Sequence, residues 1–293
     1  MLTKFSKPIL IAEIGCNHKG NFEIAKKMIE TAAKCGADYV KFQKRDNIFL
    51  LKEKFNYPHP VPENSYGNTY GEHREYLEFN IKQHIKLSKI CKKNKIKYAI
   101  SVWEKNSAKE IIKSGIKLDY IKIPSACNLD FEMMEIVAKK FKKKIHISLG
   151  MTKKNEISKI FNFFRKLKRE KDIIFYACTS DYPVDFDNVC LLEIQNLKKK
   201  YQNKISNIGF SGHHLGINID NVAYSLGANL IERHFTLDRT WKGTDHAASL
   251  EPSGLSKLAR DLNNTFKSLK YKNSSGLLKT EIKQRKKLKI NTN

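Results

Sequence analysis

The feature that most constrains this chain is an eightfold alternation. Short apolar runs of strand length recur along it: "ILIAEIG", "DYVKFQ", "KYAISVW", "DYIKIPS", "KIHISLG", "IIFYACTS", "NIGFSGH" and "NLIERHF". Between them lie segments with the 3.6-residue periodicity of amphipathic helices. "NFEIAKKMIETAAKCG" is one, closing on Gly36 at a position suited to a helix C-cap. Eight such βα units predict a (β/α)8 TIM barrel of the α/β class, since an open doubly wound sheet usually carries fewer strands. The length, 293 residues, suits one such barrel. Residues 1–270 are assigned to it and 271–293 to a basic tail, helical around "TEIKQRKKLK". One connection is long. Residues 44–75 carry Pro58, Pro60 and Pro62 and little periodicity, and a loop of that length in a compact domain is more often functional than not.

Composition narrows the partners. There is no run of about 18 apolar residues, so no membrane span is expected. The start, "MLTKFSKPILIAEIG", runs straight into patterned sequence, so neither is a cleaved signal. Six cysteines are scattered without a C-x-x-C pair, which reads as reduced thiols in a cytoplasmic protein. The net charge of +25 comes from 47 Lys against 8 Arg, and the lysines fall on polar helix positions. Nucleic-acid readers lean on arginine and interleaved aromatics. The lysines therefore read as solvated helix faces, and no nucleic-acid partner is expected. The positive field still favours a phosphate-bearing substrate.

In a barrel the chemistry sits at the C-terminal strand ends. Strand one ends on Glu13. Strand two carries Lys41 and Gln43, alternate residues that share a side. Strand three offers Ser101, strand four Lys122 and Ser125, strand five Ser148. Strand six gives Thr179, Ser180 and Tyr182, strand seven Ser211 and His213, strand eight Glu232 and His234. Lysine inside a barrel is costly to bury unless it meets an anion. Lys41 and Lys122, with hydroxyls around them, predict a cradle for a phosphate and a carboxylate on one small molecule. His213 and His234 end neighbouring strands, roughly 5 Å apart by strand spacing. On spacing alone they are either two ligands of one divalent ion or polar residues at strand ends. His214 points the other way and reads as structural, and His18, His59, His73, His84 and His146 read as ordinary.

The stretch "IAEIGCNHKGNFEIAKKMIETAAKCGADYVKFQ" resembles the opening of the sialic acid synthase (N-acetylneuraminate synthase) family. The likeness continues through "NTYGEHREYLEF", "IKIPSA", "ISLGM", "CTSDYPV", "GFSGHHLG" and "IERHFTLDRTWKGTDHAASLEP", in order over about residues 8–270. The resemblance implies condensation of phosphoenolpyruvate with N-acetylmannosamine, its 6-phosphate or a related N-acylated hexose. It implies that His213 and His234 bind Mn²⁺ or Mg²⁺. Lys41, Gln43, Lys122, Ser125, Ser148, Ser180 and Ser211 match phosphoenolpyruvate-binding positions, and Glu13, Tyr182 and Asp245 match positions facing the sugar or the reacting centre.

Three features depart from the family pattern. Gly212 stands where many members are acidic. Cys127 stands where many carry Glu, so proton transfer would fall to a group such as Glu13 or Asp245. The family's C-terminal antifreeze-like domain, swapped across a dimer, is not expected here, although a homodimer is compatible with the pattern. The alternatives are a synthase of the legionaminic or pseudaminic type or of a polysaccharide precursor, and a non-catalytic barrel.

Overall fold

The structure is a computed structural model and describes residues 5–290 other than 273 and 275. Eight parallel strands close in sequence order into one barrel. They are β1 (Ile9–Gly15), β2 (Tyr39–Lys44), β3 (Lys97–Val102), β4 (Tyr120–Ile123), β5 (Lys144–Ser148), β6 (Ile173–Cys178), β7 (Asn207–Gly212) and β8 (Leu230–His234). The helices are α1 (Phe22–Lys34), α2 (Asn47–Leu51), α3 (Tyr70–Leu77), α4 (Ile81–Lys93), α5 (Lys105–Lys113), α6 (Phe131–Lys140), α7 (Lys154–Lys166), α8 (Glu193–Tyr201), α9 (Asn218–Ser225), α10 (Pro252–Ser268) and α11 (Lys279–Leu288). The TIM barrel expected from the eightfold alternation is the fold observed.

Local chemistry sets the helix ends. The Asn21 side chain accepts from the backbone N–H groups of Glu23 and Ile24 to start α1. The chain leaves that helix through Gly36 at φ +89°, which a β-carbon would disfavour. Apolar side chains on the outer strand faces, such as Ile14, Phe42, Ile100, Ile121, Ile147, Phe175 and Ile231, pack in one core with the helices. The segment after β6 differs from its apparent periodicity. "FDNVCLLEIQNLKKKY" opens with a single 3₁₀ turn (Phe186–Asn188) and is α-helical only from Glu193, because Cys190 sits at φ +52° between the two.

The barrel interior is built in levels. Inward residues at the N-terminal ends of the strands are apolar or aromatic: Ile11, Tyr39, Ala99, Tyr120, Ile174, Tyr176 and Leu230 form a separate cluster. His146 lies among them, stacked on Tyr120 with ring centroids 3.5 Å apart and with Nδ1 2.8 Å from the Tyr176 hydroxyl. Gly209 makes room for Tyr176, whose ring lies 2.5 Å from where a β-carbon would stand. This plug replaces the Val/Ile/Leu filling usual in barrels. Above it the inward residues turn polar, as Ile11 gives way to Glu13, Tyr39 to Lys41, Tyr120 to Lys122 and Leu230 to Glu232.

The long β2–α4 connection is ordered around a ring cluster of His59, Tyr66, Tyr70 and His73. α3 starts with a reciprocal capping box between Thr69 and Glu72. The connection is tied across the barrel mouth to the β8–α10 loop: Tyr66 OH donates to the Lys242 carbonyl (2.5 Å), and the Gly243 N–H to Asn64 Oδ1 (3.2 Å). α11 has no buried residue. Among the described residues no helix is long and apolar enough to cross a membrane.

Candidate active site

The C-terminal ends of the strands enclose a cavity of about 310 Å³. Glu13, Lys41, Gln43, Lys122, Ser125, Ser148, Ser180, Tyr182, Ser211, His213, His234 and Asp245 all line it, so every residue to which the family resemblance gives a role comes to one place, while Thr179 lies outside the lining.

Its floor is a buried charge network. Register places Glu13 beside Lys41 on β2 and beside His234 on β8, and Ser211 beside Glu232. Glu13 and Lys41 are in direct contact. Glu232 Oε1 lies 2.5 Å from Lys122 Nζ, 3.7 Å from Lys41 Nζ and 3.1 Å from the Ser211 hydroxyl. Lys41 Nζ also donates to Ser101 Oγ at 2.8 Å. All four charged groups are buried. Burial alone would raise the Glu232 carboxyl, but Lys122 and Lys41 outweigh it and hold its pKa down at about 2. For Lys41, burial is outweighed by Glu13 and Glu232, which raise its pKa. Lys122 goes the other way: burial, with the Lys41 charge beside it, outweighs Glu232 and lowers its pKa. Both lysines are pre-positioned by carboxylates of the protein itself.

One wall is made of hydroxyls. The Gly150 N–H donates to Ser125 Oγ at 3.0 Å. A β-carbon at Gly150 would stand 2.2 Å from Ser180 Oγ and 2.8 Å from Ser125 Oγ, so only glycine lets the two hydroxyls converge. Asn128 supports the wall from behind, donating to the Ser148 carbonyl (2.8 Å) and to Thr152 Oγ1 (2.6 Å).

The histidines face each other with ring centroids 5.4 Å apart. His213 Nδ1 lies 2.7 Å from the Thr179 carbonyl, which makes Nδ1 the protonated nitrogen and leaves Nε2 with its lone pair. Burial, then the neighbouring His234, lowers the His213 pKa to about 3, so its ring is neutral. His234 Nδ1 is buried without a hydrogen-bond partner and lies 3.8 Å from Asp245 Oδ2. Burial of Asp245 is outweighed by His234 and Arg74, which keep its pKa below the ordinary value. Tyr182 leans over His213, with ring centroids 4.2 Å apart and the planes tilted by 41°. Two imidazoles that each keep a ring nitrogen free of hydrogen bonds suit a divalent ion. Among the described residues no group of three or more His, Cys, Asp or Glu side chains is arranged to hold one. An ion here would take its remaining ligands from water and substrate.

Ser101 and Glu232, read from the sequence at strand ends but given no role, also line it, as do Arg45, Arg74, Trp103 and Thr244, which the sequence reading did not single out. Arg45 continues the alternation of Lys41 and Gln43. Arg74 comes from α3 in the long connection and carries no periodic signal. The two departures also have physical settings. A β-carbon at Gly212 would stand 2.7 Å from the Phe210 ring and 2.8 Å from that of His214, so no acidic side chain fits without repacking. Cys127 is buried in the apolar core.

Fold and cavity together define a (β/α)8 barrel with a charged, hydroxyl-lined cavity at its C-terminal face. The chain belongs to the NeuB family, whose model matches residues 28–274. It is 36% identical over 253 residues to N-acetylneuraminate-9-phosphate synthase of Homo sapiens, a match covering 86% of this chain and 68% of that protein. It is 34% identical over 287 residues to N,N'-diacetyllegionaminic acid synthase of Campylobacter jejuni, covering 97% and 83%. The crystal structure of N-acetylneuraminic acid (sialic acid) synthetase from Leptospira borgpetersenii, in complex with citrate, superposes with a TM-score of 0.78 at 28% identity, over 97% of this chain and 93% of that one.

Proposed function

We propose that the chain is a cytoplasmic nonulosonic acid synthase that condenses phosphoenolpyruvate with N-acetylmannosamine or a related N-acylated hexose. The observation that carries this reading is the pair of buried, carboxylate-paired lysines beneath a hydroxyl wall, next to a pair of histidines in one cavity. The relatives' names supply the product class, a nine-carbon sugar acid.

Lys41 and Lys122 hold the anionic groups of phosphoenolpyruvate, with Ser125, Ser148, Ser180 and Ser211 donating to its oxygens and Gln43 bordering it. C3 of phosphoenolpyruvate forms a bond to the aldehyde carbon of the open-chain sugar, and the aldehyde oxygen takes a proton, for which the Tyr182 hydroxyl is a donor. Water adds at C2 and gives one proton to Glu13. The C2–O bond to the phosphate then breaks, the new C2 hydroxyl passes its remaining proton to the departing phosphate, and a 2-keto acid remains; the proton on Glu13 replaces the one given up by Tyr182. Asp245 borders His234. His213 and His234 would hold a divalent ion, Mn²⁺ or Mg²⁺, which would supply Lewis-acid chemistry at the aldehyde.

The test is phosphate release from phosphoenolpyruvate by purified protein with Mn²⁺, across N-acylated hexoses and with or without EDTA. Release that requires a sugar and stops with EDTA supports the reading. Absence of release with every N-acylated hexose removes it.

A further inference from the structure

The turn that leaves β1, "GCNHKG", supplies no group to the chemistry above, yet one of its side chains reaches two parts of the site. Asn17 is only 1% exposed and is not among the residues lining the cavity. Its Nδ2 carries two hydrogens and both are used, one on the Phe235 carbonyl at 2.9 Å and the other on Ser249 Oγ at 2.8 Å. Ser249 Oγ in turn donates to the Asp245 carbonyl at 2.6 Å. Phe235 directly follows His234, and its own N–H donates to the Glu13 carbonyl at 2.8 Å. A single amide therefore ties the exits of β1 and β8 to the loop that carries Asp245.

Both ends of that tie are themselves fixed. The turn closes through the Asn17 N–H on the Ile14 carbonyl (2.8 Å) and the Lys19 N–H on the Cys16 carbonyl (3.0 Å). The neighbouring His18 ring stacks on Phe79 with centroids 4.1 Å apart. Gly15 passes so close to the site that a β-carbon there would stand 2.9 Å from Glu13 Oε1. On the far side Thr236 Oγ1 lies 2.8 Å from His246 Nδ1, and the Leu250 N–H donates to the His234 carbonyl at 2.8 Å. The Asp245 side chain has looser holds. Thr244 Oγ1 donates to its Oδ1 at 3.1 Å, and its Oδ2 stands 3.8 Å from His234 Nδ1, beyond hydrogen-bond reach. The carboxylate is thus placed through its backbone, and that backbone is placed by Ser249 and Asn17.

We propose that Asn17 is a positioning residue which, through Ser249, holds Asp245 beside His234 and so sets the spacing of the acidic and imidazole groups of the site. This rests on the synthase reading and adds to it the residue that preorganises the reacting half of the cavity. The anion half is built elsewhere, from Lys41 on β2, Lys122 on β4 and the serine hydroxyls, and Asn17 donates to none of them. Removing the amide leaves the buried Phe235 carbonyl and Ser249 hydroxyl without their donor. A shift of roughly an ångström in the loop then moves Asp245 off His234, and misplacement on that scale is enough to slow a reaction.

The test is calorimetric titration of Mn²⁺ into wild type, Asn17→Ala, Ser249→Ala and the double variant, with kcat and the KM for phosphoenolpyruvate measured on the same proteins at saturating Mn²⁺. Each single variant binds Mn²⁺ about tenfold more weakly than wild type at unchanged stoichiometry, the size expected when support behind a metal-binding histidine is lost. The kcat falls about tenfold, while the KM for phosphoenolpyruvate moves less than about twofold. The double variant is no worse than Asn17→Ala, because both substitutions cut one chain of bonds. Ser249→Ala carries the test if Asn17→Ala misfolds. Wild-type Mn²⁺ affinity in the variants overturns the proposal, as does a wild type that binds no Mn²⁺. A fall in stoichiometry at constant affinity would show a merely structural role, and additive losses in the double variant would show that the two residues act apart; either overturns it. Weakened Mn²⁺ binding in the variants of a protein that never turns over phosphoenolpyruvate would leave the positioning role and remove the synthase. Sugar-dependent turnover that neither substitution alters would do the reverse.

Discussion

Glu232 Oε1 lies 2.5 Å from Lys122 Nζ at the cavity floor, and both groups are buried. Breaking one side of such a pair leaves a charge without its partner, which typically costs about 3–5 kcal/mol. Lys122→Ala is therefore expected to lower folding stability by about 3 kcal/mol, with Lys41 and Ser211 softening the loss. Glu232→Gln should cost less, because the amide can still accept a hydrogen bond from Lys122. Denaturant melts of the two variants check the order, and a harmless Lys122→Ala would mean that Glu232 is not ionised. Lys122→Ala should also raise the KM for phosphoenolpyruvate.

His213 and His234 set a second expectation. His234→Ala should abolish Mn²⁺ binding, read by calorimetry, and abolish turnover, while the thermal midpoint of the metal-free protein moves by only a few degrees. Full activity in that variant with chelator present would contradict a metal role for the pair.

Buried neutral histidines set the acid limit of the fold. Burial lowers the pKa of His18 and of His84 to about 3, below the ordinary value of 6.5. Above pH 6.5 neither the folded nor the unfolded form carries these protons, so they contribute nothing to pH dependence. As the pH falls below 6.5 the unfolded chain binds them first, and stability drops by up to about 1.4 kcal/mol per pH unit for each histidine until about pH 3. The urea midpoint should be flat from pH 8 to 7 and fall between 6.5 and 5. A flat profile down to pH 5 would mean the rings protonate in place.

Gly212→Asp introduces the acidic residue common in the family. Its β-carbon would stand 2.7 Å from the buried Phe210 ring. The substitution is expected to cost about 1–3 kcal/mol through overpacking. A wild-type denaturation midpoint would show that β7 shifts freely.

Where the chemistry followed the strand period, the sequence was readable. Lys41, Gln43, Ser211, His213 and His234 alternate at strand ends, so barrel geometry alone gathers them. Glu232 obeys the same alternation and was read at the end of strand eight, but its pairing with Lys122 joins β8 to β4 across the barrel, a contact no local pattern gives. The aromatic plug of Tyr39, Tyr120, His146 and Tyr176 follows the period too, yet nothing local says that rings rather than aliphatic chains fill this barrel. Arg74 was illegible for a different reason. It sits on a short helix in the long connection, placed by the capping box and by the Tyr66 and Asn64 ties across the mouth, contacts far apart in sequence.

The central claim is that this cavity joins phosphoenolpyruvate to a sugar. The most direct measurement is the stoichiometry of one reaction mixture: inorganic phosphate released against 2-keto acid formed, with the product's mass read in parallel. The account predicts one phosphate per molecule of a product three carbons longer than the acceptor, and neither without the sugar. Phosphate released in the absence of a sugar, with pyruvate as the only keto acid, would contradict it and leave a phosphatase in its place.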